Sequence, residues 1–166
     1  MEKLWSPWRS KYIDSLSSGI ADDECIFCDA AEKETEDPQN LLVHKSNLSY
    51  TLLNLYPYNN GHLMVVPFRH ISEFELLRVE EGTEIFQQLQ LAQNALTEIS
   101  RPHGFNVGAN LGRVGGAGIE EHLHFHIVPR WNGDTNFMPV LGEVKVISQE
   151  LMDTKLKLLK AYKKLI

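Results

Sequence analysis

The segment EHLHFHIVPR, residues 121–130, decides how this chain folds. It carries three histidines at alternate positions: His122, His124 and His126. On a helix the second and third would lie about 200° and then about 40° from the first, so the imidazoles would share no face. On a β-strand they all point the same way, about 6.6 Å apart. We therefore predict a half-buried strand over 122–128, with the intervening apolar side chains facing the core and the imidazoles on the other face.

A row of imidazoles can bind a metal, transfer protons or act as a nucleophile. A single ion on all three is disfavoured, because the row spans about 13 Å whereas a ligand nitrogen lies about 2 Å from its metal. The preceding loop, RVGGAG at 113–118, is rich in glycine. Its backbone N–H groups can approach an anion closely, although many such loops are simply turns. A nucleophilic imidazole beside a phosphate-binding loop favours phosphoryl or nucleotidyl transfer through a phospho-histidine intermediate.

The sequence around this strand predicts an antiparallel sheet. Residues 41–55 have β-forming residues on both sides of the polar KSN, which indicates two strands joined by a short turn. Residues 62–68 and 104–112 each indicate a further strand. The short connections between strands favour antiparallel pairing, since parallel strands would need crossover helices.

Two helices complete the α+β pattern. Over 83–100, apolar residues recur at spacings of three and four, which predicts an amphipathic helix. They are Ile85, Phe86, Leu89, Ala92, Leu96 and Ile99. A terminal helix is predicted at 150–166, with Leu151, Leu158, Leu159 and Tyr162 inward. This helix contains five Lys against one Asp, and we expect its lysines on a solvated face.

Composition limits the class of protein. A chain of 166 residues suits a single domain over 1–166, in which 1–24 would be an N-terminal extension. The net charge of −6 argues against coating a nucleic acid. We see no secretion signal and no apolar run long enough for a membrane span, so we predict a cytoplasmic protein without a membrane partner. In that compartment CIFC, with Cys25 and Cys28, indicates metal binding or redox use rather than a disulfide.

Several of these segments resemble one known family. HLHFHIV resembles the histidine triad (HIT) motif, His-φ-His-φ-His-φ-φ with φ apolar, and NLYPYNNGHLMVVPFRH resembles the family segment that contacts the nucleoside. LWSPWRSKYI, CIFC, PHGFNVGANLG and EHLHFHIVPRWNGDTNFMPVLG look most like the bacterial branch that contains diadenosine tetraphosphate phosphorylases. The resemblance implies a HIT-like fold, with a five-stranded antiparallel sheet, a long helix and a C-terminal helix. It also implies a homodimer that joins two sheets into one of ten strands.

The resemblance implies a role for each histidine of the motif. His124 would attack the α-phosphorus and become nucleotidylated, with a backbone carbonyl of the triad fixing its tautomer. His126 would hydrogen-bond the phosphate or the leaving-group oxygen. His122 would sit behind, interacting with His62.

The family's nucleotide contacts also have counterparts here. Asn54 matches the ribose-binding position, and Asn110 matches a polar position that reaches the phosphate or the leaving group. Many relatives carry Ser or Thr before the triad, where this chain has Gly118 and Ile119. Phosphate would then be held by backbone N–H groups, at Gly116 and Gly118, with help from Arg113. Three apolar residues would wall the base or simply belong to the core: Ile26, Phe27 and Leu53.

A structural zinc site is implied for some members of the family. Its ligands align with Cys25, Cys28, His70 and His122, and two thiolates with two imidazoles suit a closed tetrahedral site. Zinc on His122 would brace the catalytic strand without touching substrate. The alternative is a pair of reduced, buried cysteines. No organic cofactor is expected.

The predicted function is nucleotidyl transfer from a dinucleoside polyphosphate through His124. With inorganic phosphate as acceptor, diadenosine tetraphosphate would give ADP and ATP. A HIT hydrolase or phosphoramidase would instead use water. A nucleotide-binding interaction protein with incidental turnover is the alternative from another class, and the intact triad argues against it because binding alone needs no nucleophile.

Overall fold

The computed structural model describes residues 25–134 and 149–166. The helices are α1 (Ile26–Glu32), α2 (Val79–Ser100) and α3 (Leu151–Leu165), with a short 3₁₀ helix at Phe74–Leu76. The strands are β1 (Leu42–Lys45), β2 (Ser49–Leu53), β3 (Leu63–Pro67), β4 (Gly104–Ala109) and β5 (Phe125–Arg130). They form one five-stranded antiparallel sheet in the order β1-β2-β3-β5-β4. The predicted α+β fold is thereby confirmed, whereas the expected extension at 1–24 lies outside the described residues.

Side chains of the central strands β2 and β3 point alternately to each side of the sheet and are buried on both faces. One face, which we call the helix face, packs against α2 and α3 through residues that include Leu53, Leu63 and Ile127. The other, which we call the site face, carries Met64 and, directly opposite it on β5, His126. Helix α1 packs on the site face in a second cluster, comprising Phe27, Leu42, Tyr50, Leu52, Met64 and Val66.

The histidine segment differs from its prediction in two respects. Strand β5 begins at Phe125, so His126 lies in the sheet while His122 and His124 precede it. All three imidazoles are buried, with only 1%, 5% and 7% of their surface exposed in chain order. The half-buried strand predicted over 122–128 is therefore wrong at its start and in its burial, because residue spacing cannot show what other segments cover the site face.

The segment that precedes β5 is held by a loop rather than by the sheet. Leu123 donates its backbone N–H to the carbonyl oxygen of Ile71 at 2.6 Å. Both side chains are buried. This bond joins the segment that carries His122 and His124 to the loop that follows β3.

Helix α2 begins at Val79, earlier than the predicted 83–100. The reason is a carboxylate in its first turn: Glu81 accepts the backbone N–H of Arg78 at 2.8 Å. Arg69 donates two parallel bonds to the same carboxylate, at 2.8 and 2.7 Å. The pair stabilises the start of the helix and draws the loop after β3 against it.

The apolar stripe of α2 is narrower than predicted. Its buried members include Ile85, Leu89, Ala92 and Leu96, but Phe86 is 69% exposed. Phe86 lies about 100° around the helix from Ile85, which places it on the flank of the stripe. Among the described residues, no helix is long and apolar enough to cross a membrane.

Helix α3 contains a buried lysine that contradicts the expectation of a wholly solvated basic face. Leu158 and Tyr162 are buried as predicted, and Leu151 and Leu159 are half-buried. Lys155 is also buried, at 1% exposed. Its ammonium group donates to the carbonyl oxygen of Asp37, at 2.7 Å, and to two oxygens of Asn40, both at 3.0 Å. Three acceptors for three N–H groups explain why burial is tolerated, although burial lowers the pKa of Lys155.

The Arg69–Glu81 pair predicts a specific acid sensitivity. The guanidinium hydrogen bonds lower the pKa of Glu81 from 4.5 to about 2. A lowered folded-state pKa adds stability above the unfolded value, and this contribution is lost as pH falls from about 4.5 towards 2. We expect Glu81→Gln to lower the free energy of unfolding at pH 7 by about 1–3 kcal/mol. Its stability should also decline less than that of the wild type between pH 5 and pH 2.5.

Urea titrations at pH 7, 5 and 2.5 measure both effects. Glu80→Gln is the matched control, because Glu80 lies beside Glu81 and is exposed. An equal acid-induced loss of stability in Glu81→Gln and wild type would contradict the assignment.

Candidate active site and metal centre

His124 is held in one neutral tautomer. Its Nδ1 lies 2.8 Å from the carbonyl oxygen of His122. A carbonyl can only accept, so Nδ1 carries the proton and Nε2 presents a lone pair. Burial lowers the pKa of His124, which favours the uncharged ring. An imidazole in this state can attack an electrophilic phosphorus through Nε2.

His62 and His126 form a second, ordered pair. The backbone N–H of Tyr58 donates to His62 Nδ1 at 3.0 Å. The proton of neutral His62 is therefore on Nε2, which lies 2.9 Å from His126 Nδ1. His126 then accepts at Nδ1 and carries its own proton on Nε2. The pair can therefore present the His126 Nε2–H as a hydrogen-bond donor to an oxygen that leaves phosphorus.

The expected contact between His62 and His122 is wrong, and strand register gives the reason. Leu63 pairs with Ile127, which puts His62 diagonally across from His126 on the site face. His122 lies towards the opposite end of β3, where its Nε2 is 2.9 Å from the Pro67 carbonyl oxygen.

The four residues predicted as metal ligands come together at that end. The ligand atoms of Cys25, Cys28, His70 and His122 all lie within 4.8 Å of one another. His122 Nε2 donates to Pro67, so its Nδ1 lone pair faces Cys25 Sγ at 3.3 Å. His70 Nδ1 lies 3.3 Å from Cys28 Sγ. Two sulfurs and two imidazole nitrogens, one ring already oriented by a carbonyl, fit a tetrahedral metal such as those of structural sites.

Phe27 lies between the candidate metal ligands and His124. It lies between Cys25 and Cys28 in the chain, at the start of α1. Its ring centroid is 4.9 Å from that of His124 and 5.5 Å from that of His122. Because Phe27 is only 1% exposed, it backs the two imidazoles as a core residue and does not line an open base pocket.

The other proposed base-contacting residues separate in the structure. Ile26 is half-buried and packs against the cluster on the site face. Leu53, by contrast, is buried on the helix face, so it does not share a face with the triad. The alternation of strand side chains places Leu52 on the site face instead.

Asn54 and Asn110 flank the histidine pair. Asn54 Oδ1 accepts the backbone N–H of Tyr56 at 2.9 Å, and its Nδ2 lies 3.4 Å from His62 Nδ1. Asn110 Nδ2 donates to the hydroxyl of Tyr58 at 3.4 Å and to the carbonyl oxygen of Gly116 at 3.3 Å. Both amides therefore lie within the network that surrounds the catalytic histidines.

The glycine-rich loop is a hydrogen-bonded turn as well as a candidate phosphate site. Gly116 and Ala117 donate their N–H groups to the carbonyl oxygens of Arg113 and Gly112, at 3.0 and 3.2 Å. A Cβ at position 115 would lie 2.2 Å from the Leu111 carbonyl oxygen, so this turn requires glycine there. Because Gly116 is engaged within the loop, Gly118 and the exposed Arg113 remain the candidate phosphate contacts.

Sequence reasoning missed Tyr58. Its ring centroid lies 4.6 Å from that of His62 and 5.6 Å from that of His126. The segment YPYNNGH has the composition of a loop, and no periodicity marks one of its tyrosines as different. A hydrogen bond from a loop N–H to a histidine ring has no sequence signature.

Comparison with known proteins agrees with this geometry. The family described as "HIT domain" matches residues 34–133. The chain is 45% identical over 160 residues to the AP-4-A phosphorylase of Mycobacterium tuberculosis, covering 93% of this chain and 81% of that protein. It is 31% identical over 121 residues to an uncharacterized HIT-like protein of Methanocaldococcus jannaschii, covering 73% of this chain and 89% of that one.

A solved structure shows the same fold. A Zn-bound histidine triad family protein from Mycobacterium smegmatis aligns with a TM-score of 0.68 at 21% identity, over 86% of this chain and 95% of that chain. From the matches in sequence and in fold together, the chain belongs to the HIT domain family, as its triad motif predicted.

Proposed function

We propose that this protein transfers a nucleotidyl group from diadenosine tetraphosphate to inorganic phosphate, giving ADP and ATP. The observation that carries the proposal is the state of His124, whose Nδ1 proton is held by the His122 carbonyl and whose Nε2 is the nucleophile. The 45% identity to a protein named AP-4-A phosphorylase supports the choice of substrate.

The histidines divide the reaction into two displacements. In the first, His124 Nε2 attacks the α-phosphorus, the bond to the bridging oxygen breaks, and ATP leaves as an anion whose new terminal oxygen accepts a hydrogen bond from His126 Nε2–H. His62 holds His126 in the tautomer that has this proton. In the second, a phosphate oxygen attacks the same phosphorus and the P–N bond to His124 breaks, which releases ADP.

The remaining polar groups are proposed to hold the substrate. Asn54 would bind the ribose, and Asn110 the phosphate or the leaving group. Gly118, through its backbone, and Arg113, through its side chain, would meet the phosphate chain. Ile26 remains a candidate neighbour of the base.

We also propose that the metal of the Cys–His centre is zinc. Two thiolates and two imidazoles leave no coordination position for substrate, so zinc would supply structural cross-linking rather than Lewis-acid chemistry. Cys25 and Cys28 would tie the start of α1, and with it Phe27, to His122. The chain's own residues would carry out the reaction.

A homodimer through β4 is the proposed assembly. Strand β4 lies at an edge of the sheet, and Val107, which points to the helix face opposite Ile127, is 52% exposed. Helix α3 packs on one flank of α2, where Lys164 bonds Glu98. The other flank, towards β4, exposes Val79 and Phe86 at 80% and 69%. An unpaired edge beside apolar side chains suits pairing with a second copy.

The acceptor is tested by product analysis. Purified protein with diadenosine tetraphosphate and phosphate should give equal amounts of ADP and ATP, resolved by ion-exchange chromatography. His124→Ala should lower turnover by at least about 1000-fold. His103→Ala is the control, because His103 lies in the turn before β4 and accepts the Asn132 N–H. AMP and ATP as products would identify water as the acceptor. Unchanged turnover in His124→Ala would rule out the intermediate.

Zinc is tested by metal content. Protein expressed with zinc should retain about one Zn²⁺ per chain after dialysis, measured by elemental mass spectrometry. Cys28→Ser and His70→Ala should lose the metal and unfold at lower temperature, whereas His103→Ala should keep both properties. Zinc content unaffected by loss of either ligand would contradict the site.

The dimer is tested by light scattering coupled to gel filtration. Wild-type protein should elute with the mass of two chains, and Val107→Asp should give one chain, since a carboxylate at the paired edge would be desolvated without a partner. Leu156→Asp, on the exposed side of α3, should remain dimeric. A monomeric wild type would refute this assembly.

A further inference from the structure

Tyr58 contacts three members of the candidate site at once. Its main-chain N–H orients His62, and its ring lies against both His62 and His126. Its hydroxyl accepts from Asn110 at 3.4 Å. The residue is half-buried.

The loop that carries Tyr58 is anchored to the end of β5 and to the residues that follow it. Asn59 donates from Nδ2 to Asp134 at 2.8 Å and to the Pro129 carbonyl oxygen at 3.2 Å. Arg130 holds the same carboxylate through two bonds, at 2.6 and 2.9 Å. Asp134 therefore ties the loop that carries Tyr58 to Arg130.

The two halves of the site meet at the Tyr58 side chain. Asn110 lies at the end of β4 and bonds the carbonyl oxygen of Gly116 in the glycine-rich loop. His126 lies on β5 and His62 immediately before β3. The Tyr58 hydroxyl accepts from Asn110 while its ring lies against His62 and His126, so this side chain joins the two sides of the site.

We propose that Tyr58 is a positioning residue for the transfer reaction, which holds the His126 ring and the Asn110 amide in one arrangement around the leaving group. This inference rests on the proposed function. Tyr58 itself exchanges no proton and forms no bond to substrate. Its ring limits rotation of His126, so that Nε2–H points at the bridging oxygen, and its hydroxyl keeps the Asn110 amide beside it.

Two variants separate the ring from the hydroxyl. Tyr58→Phe keeps the ring and should lower kcat by about 3-fold to 10-fold, the effect of one hydrogen bond. Tyr58→Leu removes both and should lower kcat by about 10-fold to 100-fold, since the aromatic contacts are lost as well. KM for diadenosine tetraphosphate should change by less than about 3-fold in either variant, because binding contacts remain. Tyr162→Phe, a buried tyrosine on the helix face, is the control and should leave kcat unchanged.

Long-range ¹H–¹⁵N spectra of the imidazoles provide a readout that does not depend on turnover. In wild type, His62 should show the Nε2–H tautomer and His126 should show a single Nε2–H tautomer. In Tyr58→Leu, the backbone N–H is retained, so both rings should keep their tautomers, while the His126 signals should broaden or split because the ring is no longer confined to one orientation. In Tyr58→Phe, both rings should remain as in wild type.

The outcomes separate the two proposals. If wild-type protein does not cleave diadenosine tetraphosphate, the proposed function fails, and the His126 spectra still decide the role of Tyr58. An unchanged His126 spectrum in Tyr58→Leu would overturn the positioning role. So would a raised KM with unchanged kcat, since that result would make Tyr58 a substrate contact. If Tyr58→Leu does not fold, a kcat for Tyr58→Phe equal to that of wild type would overturn the inference.

Discussion

The hydrogen bond from His124 Nδ1 to the His122 carbonyl oxygen is the interaction on which the site depends. It selects the nucleophilic nitrogen without any charged partner, so the ring stays neutral in a buried place. It also makes His122 serve two purposes. The backbone oxygen of His122 orients the nucleophile, while its side chain faces two cysteines and a third imidazole. Any shift of His122 is therefore transmitted to His124.

The proton positions on His62 and His126 are also set by hydrogen bonds that begin at a backbone group. A main-chain N–H can only donate and a main-chain carbonyl can only accept, so each backbone contact determines one ring nitrogen. The N–H of Tyr58 sets the tautomer of His62, and His62 sets the tautomer of His126, whose proton is on Nε2. The order arises from backbone groups of a loop that is itself tied to β5 through Asn59 and Asp134.

Much of the fold and site was predictable, for reasons that differ between elements. Alternation at every second residue indicated the strand that contains β5, and apolar spacings of three and four indicated α2. Each pattern arises because residues at that spacing share the buried face of the element. The patterns failed at Phe86 and Lys155, where neighbouring elements decide burial: α2 leaves one flank uncovered, and three oxygens near α3 satisfy an ammonium group. The candidate metal ligands were predictable as residue types, because cysteine and histidine are the ligands that structural metal sites use. For Leu53 the sequence left two roles open, a wall of the base or a core residue, and its burial against the helices agrees with the core.

The sequence by itself indicated the class of chemistry, because alternate histidines beside a glycine-rich loop place imidazoles next to a candidate phosphate-binding turn. It also predicted the antiparallel sheet, from short connections such as the one between β1 and β2. Only the tertiary structure decided which histidine meets which. The register of β3 against β5 puts His62 beside His126 and sends His122 to the cysteines. The tertiary structure also decided the contacts of Tyr58 with Asn110 and His126, because these residues are far apart in the chain and such contacts leave no local pattern.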